Sequence, residues 1–466
     1  MEMTLQEIAL ALDAEILGKP KARRKVVICT DSRSFQPGQV FWALRGERFD
    51  GHDFVDEALS KGGMAAVIDQ SWHQEHGKPV RVYLPVGDTR KALLVLAKNY
   101  AARFRIPKIA VTGSNGKTTT KEMIAAILRP SGPTLVTQGN LNNDIGVPLT
   151  LFELKSTHRY AVVEIGTNHP GEIRPLSEAV HPGLAVITNI GDSHLEHFGS
   201  REKVMEEKLS ILAGLGERGV LALNVDDPLL ANFRGTSKIR LLTFGVHRGQ
   251  IRAQDLEFSD DGCAGFKVGR THFRLAVPGK HMVYNALAAI AVGTHLRIPK
   301  SQMAEALSRF TGAKNRMQIK KMGPITLLDD CYNANPSSMR AALETLGSFQ
   351  NASRRIAVLG DMLELGETGP KMHTEIGKSL AEMGVDKVFT FGSLSRFINQ
   401  GARSKGMSPQ SAQHFSDFDL MAGELIHQLG AGDVILVKGS RGMKLERVGE
   451  ALKGSLPRTL RTREKG

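Results

Sequence analysis

Lys108-Ile-Ala-Val-Thr-Gly-Ser-Asn-Gly-Lys-Thr-Thr-Thr-Lys121 reads as an apolar strand, a turn and the start of a helix. Gly113 and Gly116 let backbone N–H groups close on phosphate oxygens, at a helix N-terminus whose dipole favours anions. Lys117 would neutralise the outer phosphates of a nucleotide, and the Thr118 hydroxyl would ligate Mg²⁺. Ser114, Asn115 and Thr119 complete the loop as candidate ATP-binding positions. Val111 stands where the full G-x-x-x-x-G-K-[ST] pattern has its first glycine. The bland alternative is a glycine-rich βα turn without a ligand. The coincidence of strand, loop, lysine, hydroxyl and helix favours phosphate binding, but a hydrolase, a kinase or a ligase could each use it.

Outward from this loop, strand-like runs alternate with helical patterns, which predicts α/β architecture with parallel sheets. Three blocks separate. Residues 1–105 contain an amphipathic N-terminal helix, a polar, glycine-rich stretch from Thr30 to Asp53, and a helix-like segment around Arg90–Arg103. Residues 106–312 carry the loop, the helix Lys117–Leu128, strands near Tyr160–Ile165, Leu184–Asn189 and Val220–Asn224, and a helix-like Ser301–Phe310. Residues 313–466 carry strands near Ile325–Leu328, Arg355–Leu359, Lys387–Phe391 and Val434–Val437, the pattern of a small doubly wound, Rossmann-like domain.

A chain of 466 residues exceeds one ordinary core, and 41% hydrophobic with 23% charged residues is a globular balance. No apolar run is long enough to cross a bilayer, and the acidic N-terminus is unlike a signal peptide. The three cysteines, Cys29, Cys263 and Cys331, have no metal-binding spacing, so a reducing cytoplasm is expected. The net charge of +13 suits acidic small substrates as well as polyanions. No zinc-finger or RNA-recognition signature is present, and the basic stretch Arg458–Lys465 reads as a solvated end, so nucleic acid is not an expected partner.

Further candidates lie beyond the strand ends, where parallel α/β cores present functional groups. Glu164 closes Tyr160-Ala-Val-Val-Glu-Ile-Gly166 and could hold Mg²⁺; a paired, partly buried glutamate is the less favoured account. His194 follows another strand; a lone histidine is more often structural than a ligand. Lys208 reads as a solvated lysine, and Glu202, Glu206 and Glu207 as an exposed helix face.

Taken together, Thr112-Gly-Ser-Asn-Gly-Lys-Thr-Thr-Thr120, Glu164-Ile-Gly-Thr-Asn168, and Asn189 with His194 resemble the Mur ligases of bacterial cell-wall synthesis. Asp329-Asp-Cys-Tyr-Asn-Ala-Asn-Pro-Ser-Ser338 is similar to the branch that adds a terminal dipeptide. Supporting stretches run nearly end to end, among them Thr30-Asp-Ser-Arg33, Gly139–Pro148, Leu359–Gly366 and Val437-Lys-Gly-Ser-Arg441.

The resemblance implies a UDP-binding N-terminal domain, a central ATPase domain, and a C-terminal domain that closes over the nucleotide. It implies a monomeric, cytoplasmic, ATP-dependent amide ligase of peptidoglycan synthesis, and so of cell shape and division. That enzyme joins D-Ala-D-Ala to UDP-MurNAc-tripeptide through an acyl phosphate. It implies two Mg²⁺ ions, held by Thr118 and Glu164 and, at the second, by His194, with Lys208 where the family carries a lysine carbamate. Ser210 replaces the acidic neighbour usual after that lysine.

By the same resemblance Asn285, Arg316 and Asp330 contact the nucleotide, and Met282 replaces a second asparagine. Cys331 stands where a serine is common. Ser32, Arg33, Arg45, Gly46 and Phe49 are implied for the UDP end, and Asn333, Asn335 and Ser338 for the dipeptide or acyl phosphate. The rival readings are a related ligase adding a single amino acid, whose expected D-N-P-R signature is replaced here by Tyr332-Asn-Ala-Asn-Pro336, and a nucleic-acid-stimulated ATPase.

Overall fold

The computed structural model describes residues 1–19, 25–46, 49–78, 80–193, 195–235 and 238–455. Four sheets organise them. The first is parallel, in the order Ile28–Cys29, Val40–Trp42, Ala65–Asp69, Tyr83–Val86. The polar stretch from Thr30 to Asp53 thus hides a strand, Val40–Trp42, buried at all three positions. The N-terminal helix, Leu5–Leu12, starts at a capping box between Thr4 and Glu7.

The central sheet has seven parallel strands. From one edge to the other they are Ile251–Arg252, Arg240–Gly245, Val220–Asn224, Leu184–Ile187, Lys108–Thr112, Tyr160–Glu164 and Thr134–Val136. Lys108–Thr112 is near the middle and buried at all five positions, as expected when helices cover both faces. One cover is the helix Lys117–Leu128; another is the alanine-rich helix Lys280–His295 packed beside it. Close approach is built in: a Cβ on Gly293 would lie 3.2 Å from Ile127 Cγ2.

Beside this core lies an antiparallel sheet of Gln254–Phe258, Cys263–Val268 and Thr271–Pro278, which the reading of the sequence did not anticipate. Its signal was there, since Phe273, Leu275 and Val277 alternate inward with period two. The last sheet runs Gln318–Met322, Ile325–Asp329, Val434–Lys438, Arg355–Gly360, Lys387–Phe391, Ala412–Phe415. It is parallel and doubly wound except for the antiparallel first strand, a hairpin partner not expected from the sequence.

Apolar packing joins these parts. Tyr100, Leu93 and Leu96 of the helix Thr89–Ala102 share one buried cluster with Val147 and Leu151, and the Tyr100 hydroxyl donates to the Leu154 carbonyl at 2.7 Å. Arg90 clasps Asp144 through two bonds of 2.8 and 2.9 Å. A second cluster runs from Ile109 and Val283 to Leu343 and Phe349.

Trp42 is fully buried and its Nε1–H donates to the Thr89 carbonyl at 2.9 Å. Trp42→Phe removes this bond from a carbonyl that still serves the first turn of the helix Thr89–Ala102, and a loss of about 0.5–1.5 kcal/mol is expected. Only two tryptophans are present, so Trp72 fluorescence reports unfolding of the same domain in the variant. An unchanged urea midpoint would show that the bond contributes nothing.

Candidate active site

The loop after Lys108–Thr112 is pressed between two elements that leave no room for side chains. At Gly113 (φ 147°) a Cβ would sit 1.9 Å from Thr188 Oγ1, and at Gly116 (φ 79°) 2.3 Å from Asn285 Oδ1. Thr188 Oγ1 donates to the Asn115 carbonyl at 2.5 Å, and Asn189 Oδ1 accepts from the Asn115 N–H at 3.0 Å. The Ser114 hydroxyl accepts from the Gly191 N–H at 2.8 Å. The loop is therefore held from outside before any ligand arrives. The Lys117 ammonium donates to the Gly113 carbonyl at 2.8 Å. Burial pulls its pKa below the usual lysine value, nearby Glu164 opposes this, and Arg316 adds to the lowering.

Glu164 is 1% exposed and ends the strand next to the loop strand. Its Oε2 accepts from Thr118 Oγ1 at 2.8 Å and its Oε1 from Asn142 Nδ2 at 2.8 Å. Lys121, itself fully buried, brings its ammonium to 4.0 Å from Oε2 and donates to the Thr137 carbonyl at 2.6 Å. The Thr137 hydroxyl in turn accepts from the Glu164 N–H at 3.0 Å. The Thr118 hydroxyl and Glu164 carboxylate fit a hard divalent cation. No group of three or more His, Cys, Asp and Glu forms a metal cluster among the described residues. A cation here would complete its shell with phosphate and water oxygens, as Mg²⁺ does.

The C-terminal sheet supplies the facing wall. Asp330 Oδ2 accepts from the buried Lys438 ammonium at 2.6 Å, and its Oδ1 from the Met317 N–H at 3.1 Å. The Arg316 guanidinium lies 4.0 Å from the Tyr332 ring centroid, a cation–π contact. Asn335 caps the helix Pro336–Gly347 in a capping box with Ser338, and its Nδ2 donates to Asn115 Oδ1 at 2.8 Å. Asn115 Nδ2 donates to Ser337 Oγ at 2.8 Å. These bonds tie the second wall to the phosphate loop.

One cleft of about 760 Å³ gathers Ser114 to Thr119, Glu164, Asn285, Arg316, Asp330, Asn333, Asn335 and Ser338. Gly113 is not among its lining residues. Ser32, Arg33, Arg45, Gly46 and Phe49 do not line it; they follow two adjacent parallel strands of the first sheet at their carboxyl ends. There Arg33 clasps Asp31 at 2.7 and 2.9 Å, Arg45 pairs with Asp50 and Asp69 at 3.1 and 3.3 Å, and Phe49 is exposed. His194 lies outside the described residues, as does the basic tail from Arg458.

Two readings of the helix Arg201–Leu209 are corrected. Lys208 is not solvated but 2% exposed, and burial first, then the nearby Lys117 charge, hold its pKa well below the usual lysine value against the pull of Glu207. Glu207 is not on an exposed face: its carboxylate accepts from the Gly171 and Ile173 N–H groups at 2.7 and 2.8 Å, satisfying the start of the helix Ile173–Val180. Glu202 and Glu206 are exposed. Charge density along a short helix concealed which side faces inward.

Lys121, Thr137, Asn142 and Lys438 were not singled out as site residues. Lys121 reads as a surface lysine until the strand beside its helix is known. At the departures from the family pattern, Met282 Sδ lies 3.6 Å from Asn285 Nδ2, and the Cys331 thiol donates to Asp329 Oδ1 at 2.9 Å.

A glycine loop at the end of a parallel strand, a hydroxyl–carboxylate pair beneath it and a second α/β domain facing it define a phosphate-loop nucleotide-binding protein. The Mur ligase middle domain matches residues 111–293, the Mur ligase glutamate ligase domain 315–441, and the Mur ligase family catalytic domain 26–101. The UDP-N-acetylmuramoyl-tripeptide–D-alanyl-D-alanine ligase of Bacillus subtilis is 39% identical over 93% of this chain and 94% of its own. That of Escherichia coli K12 is 34% identical over 97% and 98%. The crystal structure of MurF from Acinetobacter baumannii superposes with a TM-score of 0.89 at 34% identity, covering 98% of this chain and 99% of that one. The MurF ligase of Thermotoga maritima in complex with ADP gives 0.83 at 28% identity, over 93% and 98%. The chain belongs to the Mur ligase family.

His281 lines the cleft with its Nδ1 buried and without a partner among the described residues. Burial pulls its pKa from 6.5 to about 4, against Asp330, while Lys438 adds to the lowering. The native ring stays neutral where the unfolded chain takes up a proton. Its contribution to stability is therefore complete above about pH 6.5 and is lost as pH falls through about 4. Thermal midpoints of wild type should fall more steeply over this window than those of His281→Gln; parallel curves would refute the assignment.

Proposed function

We propose that this chain ligates D-Ala-D-Ala to the terminal carboxylate of UDP-MurNAc-tripeptide, with ATP converted to ADP and phosphate. The single observation that carries this reading is the cleft in which the phosphate loop, Glu164 and the Asp329–Ser338 segment meet, in a chain related over nearly its whole length to ligases of that name. A carboxylate is a poor electrophile; transfer of the γ-phosphoryl group to its oxygen makes a good leaving group. The dipeptide amine then attacks the acyl carbon, and the tetrahedral intermediate collapses with loss of phosphate.

Two anions must first be brought together, so the residues act chiefly by positioning and charge neutralisation. Lys117 is placed to neutralise the γ-phosphate once it leaves the Gly113 carbonyl. Thr118 and Glu164 would hold Mg²⁺, which when bound screens charge between the phosphoryl group and the carboxylate; His194 belongs to a second ion's site. Asn285, Arg316 and Asp330 hold the nucleotide, and Asn333, Asn335 and Ser338 face the incoming dipeptide or the acyl phosphate. Residues 1–105 receive the UDP end through Ser32, Arg33, Arg45, Gly46 and Phe49, residues 106–312 carry ATP, and residues 313–466 close over both.

A carbamate on Lys208 is favoured by the burial that disfavours its ammonium form, since it is the neutral amine that attacks CO₂, with release of a proton. The product would supply oxygen ligands in place of a repelling ammonium.

Phosphate release should require ATP, Mg²⁺, UDP-MurNAc-tripeptide and D-Ala-D-Ala together, with the pentapeptide product seen by mass. Release answering to a single amino acid, or to nucleic acid, would overturn the acceptor assignment. Lys117→Ala should abolish ligation without changing the circular dichroism spectrum; normal turnover would remove the loop from the mechanism. Lys208→Ala should be inactive and partly restored by small carboxylates, and ¹³C-bicarbonate should give a carbamate resonance in the wild type alone. Full activity of the variant without additive would exclude the modification's role.

A further inference from the structure

The helix Pro336–Gly347 turns Ser337, Ser338, Arg340 and Ala341 to the cleft, the i, i+1, i+3, i+4 set of one helical face. Its first turn is fixed against the phosphate loop by the Asn115 bonds to Ser337 and Asn335, both 2.8 Å. Arg340 stands one turn beyond, roughly 4.5 Å further along the helix axis.

The other cations of this cleft are engaged. Lys117 bonds the Gly113 carbonyl, Arg201 the Ile190 carbonyl, Lys438 Asp330 and Arg441 Glu446, while Arg316 lies on Tyr332. Arg340 makes no hydrogen bond or ion pair among the described residues. Glu375, which feels its charge, is already paired with Lys378 at 2.8 Å.

The same cleft is lined by Leu363, a leucine 42% exposed on a firmly held loop. The Met362 N–H donates to His373 Nε2 and the Leu363 N–H to Ser440 Oγ, each at 2.9 Å, and Asp361 Oδ1 accepts from the Ser395 N–H at 2.7 Å. Glu364 takes φ 62°, a left-handed conformation that a non-glycine residue keeps only where its surroundings enforce it.

A dipeptide acceptor has an amine that must reach the loop, two methyl groups, and a carboxylate about 7 Å from the amine when extended. An uncommitted guanidinium one turn from the loop and a fixed, exposed leucine match that outline. We propose that Arg340 receives the C-terminal carboxylate of the acceptor dipeptide and that Leu363 packs against its methyl groups. The proposal rests on the ligase reading above and adds the residues that select its second substrate.

Steady-state kinetics of the full chain with D-Ala-D-Ala and with D-alanyl-D-alaninamide test it. Arg340→Gln should raise KM for D-Ala-D-Ala about tenfold or more, as loss of a charge-assisted bond predicts. The KM values for ATP and UDP-MurNAc-tripeptide should not move, D-alanyl-D-alaninamide should be used as by the wild type, and Arg340→Lys should recover part of the loss. Leu363→Ala should reduce the preference for D-Ala-D-Ala over Gly-Gly. Equal losses with the acid and the amide, or an unchanged KM for D-Ala-D-Ala in Arg340→Gln, would overturn the carboxylate assignment while leaving the ligase reading intact. A wild type inert towards D-Ala-D-Ala but active with another acceptor would overturn both.

Discussion

The structure depends on a nearly buried carboxylate, Glu164, oriented by its neighbours at the wall of the cleft. Glu164 is opposite Val111 in the parallel register of the central sheet, so the strand that carries the phosphate loop also fixes the acid beneath it. An isolated buried carboxylate is costly, and here the cost is offset locally by Thr118, Asn142 and the Lys121 ammonium. Lys121 would face the same penalty without the Thr137 carbonyl and Glu122. Each group in the cluster is satisfied by another, and removing one leaves the rest exposed to the low dielectric.

The loop above this cluster obeys a steric constraint of equal rigour. Two glycines with positive φ sit against Thr188 and Asn285, which belong to different elements of the central domain. The loop's shape is imposed by its neighbours, and its N–H groups are arranged before a phosphate binds. Preorganisation of this kind lowers the reorganisation required during phosphoryl transfer. The direct bonds from Asn115 to Asn335 and Ser337 then make the phosphate loop the point where the C-terminal domain registers on the central one. A capping asparagine thereby serves two purposes, starting the helix Pro336–Gly347 and locating it.

Much of this was legible in the residues. The strand–loop–helix stretch, the sequence of α/β blocks, Glu164 at a strand end and the Asn-rich segment after Asp329 are all local patterns, and local patterns carry their own geometry. The misses share one cause. Val40–Trp42 hid among polar neighbours, Gln318–Met322 is a half-buried edge strand, and Glu207 and Lys208 lie on a highly charged helix whose buried side carries a single small apolar residue, Val204. Burial of a charged side chain is decided by what packs against it, and that partner is distant in sequence.

The sequence by itself determined which segments become strands and helices around the phosphate loop, because hydrophobic period, glycine and capping residues act within a few positions. Family membership, too, followed from motifs spread along the whole chain. Only the tertiary structure decided that Lys121 and Lys208 are buried, that Thr118 and Asn142 share one carboxylate, and that Arg340 faces the cleft without a partner among the described residues. Those properties depend on contacts between residues tens to hundreds of positions apart, where desolvation and charge pairing are fixed by the assembled sheets and not by any local run of residues.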